Sequence, residues 1–317
     1  MPQEPGHFTN DAQKEAFRSG FVCMVGRPNV GKSTLMNRLV GHPVSITAPK
    51  PQTTRNRIMG IKSGPDYQVV FLDTPGIHHA VSPLNKRMVD YALASLADAD
   101  LALVLMDVIR RPGQGPGPED RLVLEKLGAT NRESQIPAIL VINKIDTADP
   151  PQVLQTIKEL EALAAFREVI PVSALTGENV ERLNGLILDS LKPGPQYFGE
   201  DQITDQTEAM IVSETIRQEL FHRTRDEIPY SAAVRVEKME EPSGTLLIYA
   251  RIYVERNSQK GIVIGKQAKM LKSIGQAARI KLQHLFGTKV HLDIQVSVME
   301  GWSDNARKLT ELGYPEV

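Results

Sequence analysis

Cys23 is the only cysteine in the chain. One thiol cannot close an internal disulfide, so a reducing cytoplasm is the expected setting. Cys23 stands in the apolar run Phe21-Val22-Cys23-Met24-Val25 and is expected to be a buried core residue. No stretch approaches the roughly 18 apolar residues of a membrane span, and the start lacks a signal-peptide pattern. Net charge is also nearly absent, at −1. That balance hides an asymmetry. Between Arg251 and Leu292 stand Arg251, Arg256, Lys260, Lys266, Lys269, Lys272, Arg279, Lys281 and Lys289 against one acid, Glu255. An acidic body carrying a basic module points to a polyanionic partner for the module. The 317 residues, 41% hydrophobic and 24% charged, fit a soluble globular protein of about two domains.

The octapeptide Gly26-Arg27-Pro28-Asn29-Val30-Gly31-Lys32-Ser33 fits G-x-x-x-x-G-K-[ST]. It follows the Phe21–Val25 strand pattern and precedes Thr34-Leu35-Met36-Asn37-Arg38-Leu39, which reads as the start of a helix. Two glycines let backbone N–H groups curl around phosphate oxygens, and the helix N-terminus adds positive potential. Lys32 would reach the terminal phosphates and the Ser33 hydroxyl would ligate magnesium.

The base is chosen by Asn143-Lys144-Ile145-Asp146, which follows the apolar strand Ala138-Ile139-Leu140-Val141-Ile142. A carboxylate at Asp146 can accept from N1–H and the 2-amino group of guanine. Adenine lacks that amino group and presents a lone pair at N1, so GTP is the expected substrate. Asn143 would tie the base to the loop and the stem of Lys144 would cover the ring. Ser173-Ala174-Leu175 would add a base contact through the Ala174 N–H. Asp73-Thr74-Pro75-Gly76 ends the strand Tyr67–Leu72. Asp73 would hold magnesium through water and the Gly76 N–H would touch the γ-phosphate. In Pro49-Lys50-Pro51-Gln52-Thr53-Thr54-Arg55, a threonine can close the magnesium shell only when the γ-phosphate is present. Thr54 is preferred, with Thr53 the alternative.

These motifs, in this order, resemble the small GTPases of the translation-factor type. Ras-like enzymes place a water-orienting glutamine after D-x-x-G. Here that position is Ile77, which can neither donate nor accept. His78, His79 and Gln114 lie nearby in sequence, read as exposed loop residues, and nothing in the sequence places them at the phosphate. The hydrophobic residue resembles the Era and MnmE group of bacterial GTPases. That resemblance implies a potassium ion held by Asn29. The expected catalytic set is therefore Lys32, Asn29, Thr54 and Gly76, with slow hydrolysis.

Residues 1–18 read as a flexible leader, 19–192 as the nucleotide domain, 193–206 as a linker, 207–299 as a second domain and 300–317 as a tail. In 19–192, strands alternate with helical patterns such as 83–97 and 151–163, giving a largely parallel sheet covered on both faces. Residues 57–62 are expected to add the one antiparallel strand. Residues 110–118 read as a flexible Gly/Pro-rich loop near the switch face, and Lys192-Pro193-Gly194-Pro195 as the stop of the last helix.

From 208 onward the order helix, two strands, helical turn, glycine loop, helix, strand resembles a type II KH RNA-binding module. The resemblance implies RNA contacts from Gly261, Ile262, Gly265, Lys266, Gln267, Ala268, Lys269, Lys272 and Arg279. Gly265-Lys266-Gln267-Ala268 departs from G-x-x-G, because alanine disfavours the positive φ that glycine tolerates. Ile262, Ile264, Met270, Leu271 and Ile274 read as core positions. An α/β P-loop GTPase domain followed by a smaller α/β KH domain is the expected fold.

From Phe21 to Tyr314 the chain resembles the bacterial Era GTPases, most specifically in Gln52-Thr53-Thr54-Arg55, Asp73–Ile77, 261–275 and the tail Gly301-Trp302 through Leu309 and Leu312-Gly313-Tyr314. The resemblance implies a cytoplasmic, monomeric GTPase that binds small-subunit ribosomal RNA near its 3′ end and assists small-subunit assembly. It also implies peripheral association with the inner face of the cell membrane. MnmE-type enzymes end in a cysteine motif absent here, and double-GTPase assembly factors carry a second phosphate loop, also absent. The alternatives are an RNA-binding scaffold with hydrolysis as a slow release timer, and a membrane-associated signalling GTPase.

Overall fold

The computed structural model describes residues 16–48, 50, 52–109, 113–134, 136–314 and 316. Residues 1–15 of the expected leader lie outside that set. Arg18, its last residue, already pairs with Tyr67 in the sheet.

The first domain comprises β1 (Arg18–Val25), α1 (Lys32–Val40), β2 (Ile58–Ser63), β3 (Tyr67–Asp73), α2 (Pro83–Ala97), β4 (Leu101–Asp107), α3 (Pro118–Ser134), β5 (Ala138–Asn143), α4 (Pro150–Glu161), β6 (Glu168–Pro171), α5 (Val180–Leu188) and β7 (Lys192–Pro193). The strands run β2-β3-β1-β4-β5-β6, with β2 antiparallel to β3 and the others parallel. Strands buried on both faces read as continuous apolar runs, and β1 divides its side chains accordingly. Val22 and Met24 join the core under α1 and α5, while Cys23 and Val25 join the core on the other face with α2, α3 and α4.

One expectation fails at Lys192-Pro193. Helix α5 ends at Leu188, and these two residues pair antiparallel with Arg18 and Ser19, a second antiparallel contact beside β2. Proline is tolerated there because an edge position asks for no second ladder bond. The Gly/Pro-rich stretch has no helix or strand before Pro118 among its described residues. Residues 110–112 lie outside the described set, but the Gly113 and Gly115 N–H groups donate to the Glu159 carboxylate, fastening the loop to α4.

The second domain comprises α6 (Glu208–Arg223), α7 (Ile228–Ser231), β8 (Ala232–Glu240), β9 (Thr245–Val254), α8 (Asn257–Ile264), α9 (Lys269–Phe286), β10 (Lys289–Val298) and, in the tail, α10 (Ala306–Glu311). The sheet order is β10-β9-β8, with β9 parallel to β10 and antiparallel to β8. Along β9 the even positions from Leu246 to Val254 are buried and the odd ones are half-exposed, the period-two pattern of a sheet covered on one face. The expected helical turn is a full eight-residue helix, α8.

The linker lies along the first domain, with the Ile61 N–H bonded to the Ile203 carbonyl and Gln68 Oε1 accepting from the Tyr197 and Phe198 N–H groups. The tail forms a fourth core. Trp302, Leu309, Leu312 and Tyr314 pack with Ala233 of β8 and with Leu84 and Met88 of α2, so one cluster joins the two domains.

Candidate functional site: a phosphate-loop cavity joined to the second domain

The turn after β1 has to reverse tightly, and Gly31 does so at φ 101°, with Asn29 also left-handed at φ 62°. A Cβ at Gly31 would stand 2.2 Å from Asn143 Nδ2, so only glycine fits. Pro28, Asn29, Gly31, Lys32, Ser33, Thr34, Thr54, Gly76 and Lys144 line one cavity of about 570 Å³. Lys32 is buried, and its Nζ donates to the carbonyls of Gly26 and Arg27 at 3.1 Å. Burial pulls its pKa down to about 8, against the opposing pull of Asp73. A phosphate in the cavity would oppose that lowering. The Arg27 side chain turns away from the cavity to Asp107 and Asp120, which leaves only its backbone for phosphate. Val30 is buried in the core, and its carbonyl accepts from Asn143 Nδ2 at 2.8 Å.

At the end of β3, Asp73 Oδ2 accepts from Ser33 Oγ at 2.6 Å, Ser45 Oγ at 2.8 Å and Thr54 Oγ1 at 3.2 Å. Its Oδ1 has no partner and burial raises its pKa. A fully buried carboxylate with one orphaned oxygen and a ring of hydroxyls suits a hard divalent cation. Thr54 also lies 2.9 Å from Ser33 Oγ, whereas Thr53 Oγ1 donates to the Lys50 carbonyl, so Thr54 is the threonine brought beside Ser33 and Asp73. Ser45 carries no motif. It is held there by a two-way clasp with the Asn37 side chain.

Thr74 is structural, its hydroxyl donating to the Met24 carbonyl at 2.7 Å. Pro75 and Gly76 are buried, and a Cβ on Gly76 would lie 2.5 Å from Pro28 N, which explains the glycine. Ile77 is buried and its N–H bonds the Gly26 carbonyl. His79 is exposed, and neither it nor Gln114 lines the cavity. His78 does not behave as an exposed loop residue. It is buried, with Nδ1 2.7 Å from the Gly76 carbonyl oxygen.

At the base end, Asp146 Oδ1 accepts from Ser173 Oγ at 2.5 Å, which aims the carboxylate. Lys144 Nζ donates to the Asn29 carbonyl at 2.7 Å and to Asp107 at 3.1 Å. The Ala174 N–H, expected on the base, donates instead to Asn143 Oδ1 at 2.9 Å, so Asn143 ties the phosphate loop to the Ser173–Leu175 turn. The Leu175 side chain is exposed, and its carbonyl and that of Ala174 accept from Arg38 of α1. Arg38 and Asp107 were not legible as site residues, since each acts from another element through a single side chain.

The segment that carries Thr54 continues straight into the second domain. Arg55 is 1% exposed, and its guanidinium donates to the carbonyls of Pro229, Tyr230 and Ala232. Its cationic carbon lies 5.9 Å from the ring centres of Phe221 and of Trp302. Lys50 donates to the carbonyls of Phe221 and Thr224, Arg217 to that of Thr53, and Gln218 to that of Thr47. Helix α2, which follows the Asp73–Ile77 turn, is held by Arg87 to the carbonyls of Ala306 and Tyr314.

In the second domain, Gly265 stands at φ 71° between α8 and α9, where a Cβ would meet that of Met270 at 2.7 Å. Gln267 and Ala268 are also left-handed, at φ 52° and 58°, so the alanine adopts the conformation that it was expected to exclude. Lys266, Lys269, Lys272 and Arg279 are exposed and carry no ion pair among the described residues, whereas Arg251 and Lys281 are paired with Glu237 and Glu219. Gly261 and Ile262 are exposed. Ile262 is therefore not a core residue: α8 buries Val263 and Gln259 instead. Ile274 is fully buried, and Ile264, Met270 and Leu271 pack against the core.

Among the described residues no helix is long and apolar enough to cross a membrane. Residues 21–144 match the family model described as 50S ribosome-binding GTPase, and 227–303 match that of the KH domain. The chain is 49% identical over 302 residues to GTPase Era of Geotalea uraniireducens, covering 95% of this chain and 99% of that one. It is 48% identical over 300 residues to GTPase Era of Geobacter metallireducens, covering 94% and 98%. Its fold superposes with a TM-score of 0.89, at 37% identity and over 94% of this chain and 99% of the other, on the crystal structure of Era in complex with MgGDPNP and nucleotides 1506–1542 of 16S ribosomal RNA. A variant of Aquifex aeolicus Era bound to GDP·AlF4− gives a TM-score of 0.88 at 36% identity, covering 94% of this chain and all of that one.

Proposed function

The chain belongs to the Era GTPase family, and on that premise we propose that it hydrolyses GTP and uses its nucleotide state to set how the KH domain holds the 3′ end of small-subunit ribosomal RNA during subunit assembly. The observation that carries the reading is the adjacency of Thr54 and Arg55. Thr54 lies beside Ser33 and Asp73, where it would reach the metal, and the next residue is anchored in the second domain. A change in one is felt by the other within a single residue.

Ser33, Asp73 and Thr54 would hold magnesium, and the orphaned Asp73 oxygen is the observation that fits it. The ion would neutralise charge on the β- and γ-phosphate oxygens. Asn29 is proposed as the potassium ligand, since it is left-handed and lines the phosphate end of the cavity. Lys266, Lys269, Lys272 and Arg279 would supply the salt-dependent share of RNA affinity, while the Gly265 loop lets the RNA backbone approach the start of α9. The proposed setting is cytoplasmic.

The test measures affinity for the 3′ segment of small-subunit ribosomal RNA with GDP and with a non-hydrolysable GTP analogue. A tenfold ratio, about 1.4 kcal/mol of coupling, supports the switch. A ratio of one leaves a scaffold with hydrolysis as a timer. Crosslinking in cells with wild type and Lys266→Glu tests the partner: ribosomal RNA not enriched by the wild type removes the assembly role.

A further inference from the structure

The position that carries the attacking-water glutamine in Ras-like enzymes is closed here, because the Ile77 side chain is 1% exposed and packed in the core. Another glutamine reaches the same cavity. Gln52 lines it together with Lys32, Thr54 and Gly76. Its backbone is left-handed at φ 58°, a conformation that costs a non-glycine residue about 1–2 kcal/mol and persists only where surroundings impose it.

The side chain of Gln52 is also oriented. Gln52 Nε2 lies 3.4 Å from His78 Nε2, and His78 Nδ1 lies 2.7 Å from the Gly76 carbonyl oxygen. A carbonyl only accepts, so Nδ1 carries the proton, and in that tautomer Nε2 is a bare acceptor. That acceptor selects the NH2 side of the Gln52 amide, and the carbonyl oxygen Oε1 is then the end free to meet water. His222 of α6 lines the cavity too, but without an orienting hydrogen bond among the described residues.

We propose that Gln52 is the group that orients the attacking water, and that His78 is its positioning residue; the inference rests on the GTPase reading above. In the step, the water oxygen forms a bond to the γ-phosphorus and the bond from that phosphorus to the β–γ bridging oxygen breaks. GDP leaves with that electron pair, and both water protons end on inorganic phosphate. Gln52 Oε1 accepts a hydrogen bond from the water and takes no proton. His78, two residues after Gly76, makes this geometry depend on the turn that meets the γ-phosphate.

The test uses the full chain with magnesium and GTP, reading single-turnover hydrolysis, affinity for a GTP analogue, and fluoroaluminate capture on bound GDP. Gln52→Ala is expected to slow hydrolysis by about a hundredfold and to abolish fluoroaluminate capture, with analogue affinity within about twofold of wild type. An unchanged rate overturns the inference, as does a loss of analogue affinity that matches the loss of rate. If the wild type itself does not hydrolyse GTP, the GTPase reading fails instead. His78→Gln keeps an acceptor for Gln52, whereas His78→Asn keeps only the contact with Gly76. His78→Gln is expected to retain the higher rate at equal analogue affinity, and equal rates in the two variants remove the positioning role.

Discussion

The guanidinium of Arg55 donates to the carbonyl oxygen of Ala232 at 2.8 Å, across 177 residues of sequence. Among the described residues no carboxylate pairs with this buried cation. It is held by the carbonyls of Pro229 and Tyr230 as well, by the Tyr314 hydroxyl at 3.4 Å, and by two aromatic faces, while burial lowers its pKa. A desolvated charge tolerated without a counter-ion is held by geometry. Here that geometry unites the segment carrying Thr54, the start of β8 and the tail.

Replacing Arg55 by Met keeps the stem and removes the donors, so the carbonyls of Pro229, Tyr230 and Ala232 lose their partner. Each buried unsatisfied acceptor costs roughly 1–3 kcal/mol, partly relieved by water entry. The expected loss is about 3 kcal/mol at the junction, with the two domains melting as separate transitions in calorimetry where the wild type melts as one. A variant with an unsplit transition at the wild-type temperature would show that the pin carries no stability.

Asp146, whose Oδ1 accepts from Ser173 Oγ, is the carboxylate proposed to select guanine. Asp146→Asn replaces one acceptor oxygen by a donor, which repels the guanine 2-amino group and suits the 2-keto oxygen of xanthine. Affinity for GTP should fall by a factor of roughly 100 and affinity for XTP should rise, measured by competition with a fluorescent GDP analogue. Retained GTP preference would place base selection elsewhere.

The residues legible in the sequence, Lys32, Ser33, Asp73, Asn143 and Asp146, belong to short motifs at strand ends, where local order and function coincide. Ser45 was not legible because its place on Asp73, 28 positions further along the chain, depends on the Asn37 clasp. Arg55 was legible only as part of the family mark Gln52-Thr53-Thr54-Arg55, since nothing local announces the pocket formed by α6, α7, β8 and the tail. Trp302 was visible only as a family mark. Its burial against α2 and β8, with Nε1 donating to the Ser231 carbonyl, is tertiary throughout. Ile262 misled because an apolar run suggests core, whereas a short helix buries one stripe and Val263 already fills it.

Cys23 is fully buried, and burial first, with Asp73 adding to it, pushes its thiol far above the ordinary value. A group with a raised pKa is protonated across the neutral range, and the thiolate is the reactive form. Modification therefore waits for an opening of the central sheet. In the native protein Cys23 should react with a disulfide reagent at pH 8 at least about a thousandfold more slowly than in urea. Rapid native labelling would contradict the burial.

The turn before α9 offers two substitutions whose effects should have opposite signs. Gly265 combines φ 71° with a Cβ position only 2.7 Å from that of Met270, so Gly265→Ala meets both strain and a clash. Ala268 stands at φ 58°, where its own Cβ crowds the following carbonyl. Relief of that strain, about 1–2 kcal/mol, exceeds the roughly 0.4–1 kcal/mol of unfolded-state freedom that glycine adds. Ala268→Gly should therefore stabilise the KH domain by about 0.5–1 kcal/mol in urea unfolding, while Gly265→Ala destabilises it. The same change removes a methyl group from the start of α9, where RNA phosphate would approach, so RNA affinity should hold or rise. A destabilised Ala268→Gly protein would mean that the loop takes a right-handed turn at this residue and that the alanine is unstrained.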